Sequence, residues 1–379
     1  MPTTLTNARV LTGDGWRDDA AVVIADGRIA AVQPAADAPA GEVVDLGGRL
    51  LVPGFIDTQV NGGGDVLFNE CPTAECIDRI GAAHRRFGTT GFLPTLISDD
   101  LTVIDQAVSA VEDAIARGVP GVLGIHIEGP FLNVARKGIH DASKFRTLDD
   151  EAIRLLTRLK GGVTLVTLAP EMTRPDMIGR LVAAGAIVAA GHTDADYATT
   201  RAALDAGITG FTHLFNAMSP LKNRAPGVVG AALEDTAGWC GLIVDGHHVD
   251  PVVLKLALRC RPADRFMLVT DAMPSVGSDR DHFFIQGRRI TVKDGACRDQ
   301  NGTLAGSDLD MASAVRNTRD MLGVDLETAV MMASAAPAAF LGLQASHGRI
   351  APGYVADLVA MEPDCAVTDT WIGGKRQAV

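Results

Sequence analysis

The 379-residue chain predicts an α/β fold: a (β/α)₈ TIM-like barrel carrying a small β-sandwich built from both chain ends. Three observations carry this prediction. Eight short apolar or β-branched runs recur through the middle of the chain, and most stop at a polar residue. Segments of helical period separate most of them, and eight is the strand number that closes a parallel barrel. Outside this region, both termini read instead as short strands and turns.

The eight runs are Gly54–Val60, Thr89–Thr95, Val122–Glu128, Val163–Ala169, Ala186–Gly191, Ile208–His213, Cys240–Asp245 and Phe266–Asp271. Helical-period segments such as Thr73–Phe87, Asp150–Leu159, Asp194–Ala206 and Pro251–Cys260 lie between them. An open doubly wound sheet is the alternative, since strand order cannot be read from sequence. At the N-terminus, Ala21–Ile24 and Arg28–Val32 flank Asp26-Gly27, a hairpin signal. Gly348–Ile350, Ala356–Ala360 and Thr370–Lys375 have the same texture at the other end. The expected division is residues 1–52 and 346–379 for the β domain and 53–345 for the barrel. The segment from Asp281 to Gln300 reads as a β-hairpin inserted after the eighth strand, with the small domain as a possible neighbour.

Composition narrows the function. Hydrophobic residues make up 47% of the chain, enough for a large core, and the net charge is −12. An acidic chain with no Lys/Arg cluster points away from nucleic acid and from anionic membrane surfaces. No apolar run approaches 18 residues and no leader pattern opens the chain, so a soluble, cytoplasmic protein is expected. The six cysteines form no Cys-x-x-Cys pair, and a chain of this size needs no staples, so reduced thiols are expected.

Barrel active sites sit at the C-terminal ends of the strands. Here those ends hold Glu128 on strand three, His192 on strand five, His213 on strand six and Asp271 on strand eight. Any one of them alone would read as a solvated or capping residue. Together, one carboxylate and two imidazoles are a common catalytic zinc or iron set with an open position.

Several segments then resemble the N-acetylglucosamine-6-phosphate deacetylase family of the amidohydrolase superfamily. They are Gly124–Leu132, Lys137–His140, Gly191–Thr193, Thr212–Met218, Asp245–Asp250, Val269–Ala272 and Asn301–Ser307, in order from about Pro53 to the C-terminus. The resemblance implies that Glu128, His192 and His213 ligate one divalent metal, zinc or iron(II). It implies that Asp271 is general base and then general acid, and that His140 polarises the acetyl carbonyl. It assigns His248, Asn216 and the backbone at Ala217 to the sugar phosphate. It also brings Arg224 to the phosphate from a neighbouring subunit, making the active unit a homodimer. The implied reaction is hydrolysis of the acetamide of N-acetylglucosamine 6-phosphate, with the N-acetylgalactosamine epimer as the alternative.

One departure stands out. Superfamily members commonly carry His-x-His on strand one, where this chain reads Gln59-Val60-Asn61. Residues two apart on a strand share a face, so the two amides replace a His pair. Amide oxygens are weaker zinc ligands than imidazole, so one tightly held metal is expected. The missing pair also weighs against a cyclic amidase or a nucleobase deaminase, and the four intact strand-end residues weigh against a catalytically silent scaffold. Gly62–Gly64 reads as a tight loop beside the site, not a nucleotide loop. His126 reads as a packed barrel histidine or a support for Glu128, His247 as structural, and His84, His282 and His347 as surface residues.

Overall fold

A computed structural model describes residues 2–37, 39 and 41–377. The eight barrel strands are Phe55–Val60, Thr89–Ile97, Gly124–Glu128, Val163–Leu168, Ile187–Ala190, Gly210–Phe211, Trp239–Leu242 and Phe266–Leu268. They form one parallel sheet in sequential order. Strand eight returns to strand one through a parallel Val60–Ala272 bridge and an Asp271 N–H to Gln59 carbonyl bond of 3.0 Å. The ring is thereby closed, which rules out the open sheet. Strands six, seven and eight are shorter than their apolar runs. At His213 and Asp271 φ turns positive, and a residue there cannot continue a ladder.

The helices follow from their caps and stripes. Helix α1 (Ala74–Arg85) starts where Thr73 Oγ1 accepts the Cys76 N–H, and buries Ile77, Ile80 and Ala83. Next come α2 (Leu101–Ala116), α3 (Asp150–Leu156), α4 (Pro175–Ala183), α5 (Tyr197–Asp205), α6 (Gly227–Glu234), α7 (Pro251–Cys260) and α8 (Met311–Leu322). Asp149, Asp196, Asp250 and Asp310 cap α3, α5, α7 and α8 by the same side-chain-to-N–H bond.

The two chain ends share a six-stranded sheet. Leu50–Pro53 pairs antiparallel with Leu358–Met361, so N-terminal and C-terminal strands are direct neighbours. A four-stranded sheet from the first 45 residues packs on it. Val22, Ile24, Leu51, Leu358 and Trp371 fill the space between them.

Three expectations need correction. Residues 282–307 form a four-stranded antiparallel meander rather than one hairpin. Its apolar face (Phe283, Ile285, Ile290) packs on Leu67, Ile97 and Ile139 at the barrel mouth, not on the small domain. Cys71 and Cys76 are joined in a disulfide, because the turn into α1 folds its first residues back to a Cα–Cα distance of 6.1 Å. The remaining cysteines are free. His84 is fully buried, its Nε2 2.9 Å from the Gly62 carbonyl, because the glycine loop lies directly on α1. That loop needs its glycines: a Cβ on Gly62 would stand 2.3 Å from the Val66 carbonyl oxygen.

Candidate active site

A cleft of about 170 Å³ opens at the C-terminal end of the barrel. Its lining includes Glu128, His140, His192, His213, Asn216, Ala217, His248 and Asp271, eight of the nine residues singled out from sequence. The ninth, Arg224, is exposed in the turn closed by the Lys222–Ala225 bridge and does not line this cleft.

Three residues converge on one point. Glu128 Oε1 lies 3.2 Å from His192 Nε2 and 3.0 Å from His213 Nε2, and the two nitrogens are 3.1 Å apart. The tautomer of His192 follows from its other nitrogen, which lies 2.8 Å from the Arg136 carbonyl. A carbonyl only accepts, so Nδ1 holds a proton, and Nε2 is the atom turned toward Glu128 and His213. Burial alone would push the Glu128 carboxyl up, but hydrogen bonds and charge from His192 and His213 hold it well below the ordinary range. An electron-rich knot of this kind suits a bound cation. His213 Nδ1 is buried without a partner. His140 also offers a nitrogen within 4.8 Å of ligand atoms on Glu128 and His192.

His140 is held differently. Its Nδ1 lies 2.8 Å from Ser98 Oγ and accepts the Ser98 N–H at 3.3 Å. A backbone N–H only donates, so the proton sits on Nε2. Burial keeps this imidazole well below its ordinary pKa, hence neutral. A neutral histidine with Nε2–H is a hydrogen-bond donor to whatever the cleft holds.

Asp271 accepts Asn61 Nδ2 at 2.6 Å and Gln59 Nε2 at 3.1 Å, both on Oδ1. Gln59 Nε2 also reaches Glu128 Oε1 at 3.2 Å. The strand-one amides therefore turn their NH₂ groups, not their oxygens, toward the carboxylates. Burial and the Glu128 charge push the Asp271 carboxyl up to about 6. Beneath it, Asp57 braces strand eight by accepting Thr270 Oγ1 at 2.5 Å, and burial raises Asp57 to about 7.

The rim carries the remaining polar groups. His248 Nδ1 meets Asp245 Oδ2 at 2.5 Å, leaving its Nε2 free. Burial would raise the Asp245 carboxyl, but the bond and charge of His248 hold it low. Asn216 Nδ2 donates to the His213 carbonyl at 3.1 Å. Phe215 and Ala217 sit at φ of 79° and 50°, as do His192 and His213 at 48° and 33°, so strain concentrates at this mouth.

Ser98, Asp57, Asp245 and the Arg136 carbonyl were not singled out from sequence as parts of the site. Asp245 sits in a motif that was noticed, but its partner lies three residues on with no periodic signal. His126 is the packed reading: its ring nitrogens meet Thr167 and Thr95 inside the barrel. His247 is exposed at the rim, where its N–H meets Asp245, and His282 pairs with Asp281 near the surface.

Residues 50–376 match the amidohydrolase family, and residues 4–51 match the NagA composite domain. An N-acetylgalactosamine-6-phosphate deacetylase from Shewanella sp. (strain ANA-3) is 45% identical, covering 97% of this chain and 94% of that protein. An N-acetylglucosamine-6-phosphate deacetylase from Haemophilus influenzae is 33% identical, covering 99% of each. The crystal structure of N-acetylglucosamine-6-phosphate deacetylase from Pasteurella multocida superposes with a TM-score of 0.97 at 34% identity over 100% of both chains. A variant of the Mycobacterium smegmatis enzyme in complex with N-acetyl-D-glucosamine 6-phosphate superposes with a TM-score of 0.90 at 35% identity over 99% of this chain and 98% of that one. The chain belongs to the amidohydrolase family and, within it, to the N-acetylglucosamine-6-phosphate deacetylase family that its motifs resemble.

Proposed function

We propose that the protein hydrolyses the acetamide of N-acetylglucosamine 6-phosphate, releasing acetate and glucosamine 6-phosphate. The observation that carries this reading is one cleft lined by a buried carboxylate (Asp271), a neutral imidazole donor (His140) and the Glu128–His192–His213 knot.

Glu128, His192 and His213 would hold one divalent metal, zinc or iron(II). His140 is left out of the set because Ser98 fixes it as a donor. When bound, the metal would lower the pKa of a water to about 7 and polarise the acetyl carbonyl. Asp271, raised to about 6, accepts the water's proton at Oδ2 while Asn61 and Gln59 hold Oδ1. His140 Nε2–H donates to the carbonyl oxygen as negative charge develops there. Asp271 then returns the proton to the departing amine nitrogen.

His248, Asn216 and the Ala217 backbone would meet the sugar phosphate, with Arg224 arriving from a second copy of the chain. The exposed position of Arg224, away from its own cleft, supports that arrangement. No helix among the described residues is long and apolar enough to cross a membrane, and a cytoplasmic homodimer is the form proposed.

A galacto preference is the second reading, favoured by relatives named N-acetylgalactosamine-6-phosphate deacetylase at 45% and 37% identity. Acetate release from both phosphorylated epimers and from free N-acetylglucosamine tests the assignment. We expect release from the gluco phosphate far above that from the free sugar. A larger kcat/KM for the galacto phosphate would transfer the assignment to it, and no release from any would remove the deacetylase reading.

A further inference from the structure

The meander over the barrel mouth makes two polar contacts that the chemistry above does not use. Both fall on the segments that hold His140. Gln286 Nε2 donates to the Ser98 carbonyl at 3.3 Å, and the Arg288 guanidinium donates to the Ile139 carbonyl. Ser98 is the residue whose N–H and hydroxyl grip His140 Nδ1, and Ile139 is the residue directly before His140. One stretch of three residues, the Gln286-Gly287 turn and Arg288 at the start of the next strand, thus touches both supports of a single side chain.

The contact is built rather than incidental. Gln286 has φ of 47°, a left-handed value a glutamine rarely adopts. Its Oε1 is buried without a partner. The amide cannot flip to relieve that orphan, because Oε1 would then face the Ser98 carbonyl oxygen. The Gln286 N–H also meets Glu70 Oε1 at 3.3 Å, next to the Cys71–Cys76 disulfide. Beneath the turn, Ile285 and Ile290 pack on Ile97 and Ile139.

We propose that Gln286 and Arg288 are positioning residues that fix the direction of the His140 Nε2–H, so that the meander works as a clamp on the carbonyl-polarising group. This rests on the proposed role of His140. The clamp acts on the Ser98 and Ile139 backbones from above, while the metal ligands are oriented from below and beside, by Arg136 and the strand-one amides. Loosening it should misdirect one hydrogen bond and leave substrate and metal binding intact. Misplacing a catalytic group by about 1 Å can cost about 100-fold in rate.

The test uses the full chain loaded with zinc and four variants: Gln286→Leu, Arg288→Met, Arg288→Lys and His140→Asn. For Gln286→Leu and Arg288→Met we expect kcat to fall about 10- to 100-fold, with KM, zinc content and Tm close to the parent. Arg288→Lys, which keeps a donor, should recover part of the loss. The defect should also shrink on the N-trifluoroacetyl analogue, whose electron-poor carbonyl needs less polarisation. If Arg288→Met fails to fold, Gln286→Leu carries the same readout. A rise in KM alone, an equal kcat loss on both substrates, or full kcat in both clamp variants would overturn the inference. His140→Asn separates the two ideas: if it keeps full kcat, the role of His140 falls, whereas its loss beside intact clamp variants defeats the clamp alone.

Discussion

The two ends of the barrel are made of the same eight strands and differ in almost everything else. At the N-terminal floor, Ile56, Leu93, Leu165, Ala189 and Met267 point inward and are sealed by Ala336, Phe340 and Leu341. Packing is close there: a Cβ on Gly210 would stand 2.8 Å from the Phe340 ring. At the C-terminal mouth carboxylates and imidazoles are among the buried residues, and His192, His213 and Asp271 all hold positive φ. The floor stores stability in apolar contact; the mouth spends it on strained backbone and desolvated charge. The contrast is sharpest in two carboxyls that burial raises to about 6: Asp271 at the mouth, and Asp357 beside the joint of sandwich and barrel, where its carbonyl accepts the Gly54 N–H.

The largest effect should come from the mouth. Asp271→Asn should cut kcat by roughly 10²- to 10⁴-fold, the usual range for a general acid–base group. Metal content and Tm should stay near the parent. Turnover close to normal would end the role of Asp271 as proton carrier.

At the floor the opposite pattern is expected. Phe340→Ala removes a ring that also stands 5.8 Å from Trp239, centroid to centroid. The cavity should cost about 3–5 kcal/mol, seen as a lower Tm, while KM and kcat of the folded fraction hold. A loss of kcat without a loss of Tm would show that the two ends are not separable.

The smallest effect tests the second carboxyl. Burial raises Asp357 from 3.8 to about 6, so the folded state binds its proton more tightly than the unfolded chain. Stability from this group is therefore lost as pH rises from about 4 through about 6. Asp357→Asn keeps an oxygen for the Gly373 N–H, which now meets Oδ1 at 2.8 Å, and removes the titration. The variant should melt on the order of a few degrees above the parent at pH 7.5, with the gap closing by pH 4. A gap independent of pH would mean that the carboxyl does not titrate in this window.

The barrel and most of the cleft are legible in the sequence because both are written locally. Strand alternation and helical period name the elements, and eight of the nine singled-out residues line one cavity because strand ends share a face. The order of Glu128, His192, His213 and Asp271 along the chain already announced that common end. What binds those residues in place is not legible there. Asn61 reaches Asp271 across 210 residues, and Ser98 reaches His140 across 42. Helical position alone puts His84 at the surface of α1; the glycine loop covers it.

The sequence by itself determined the strand count, the helical segments opening near Thr73, Asp150, Asp194 and Pro251, and the residue types at the mouth, since each depends on neighbours within about one turn. Only the tertiary structure decided the closure of strand eight on strand one, the direction of the Gln59 and Asn61 amides, the Cys71–Cys76 bond and the docking of the meander on Ser98 and Ile139. Hydrogen bonds between segments distant in sequence leave no periodic trace; they exist because a closed barrel brings all eight strand ends to the rim of one cavity.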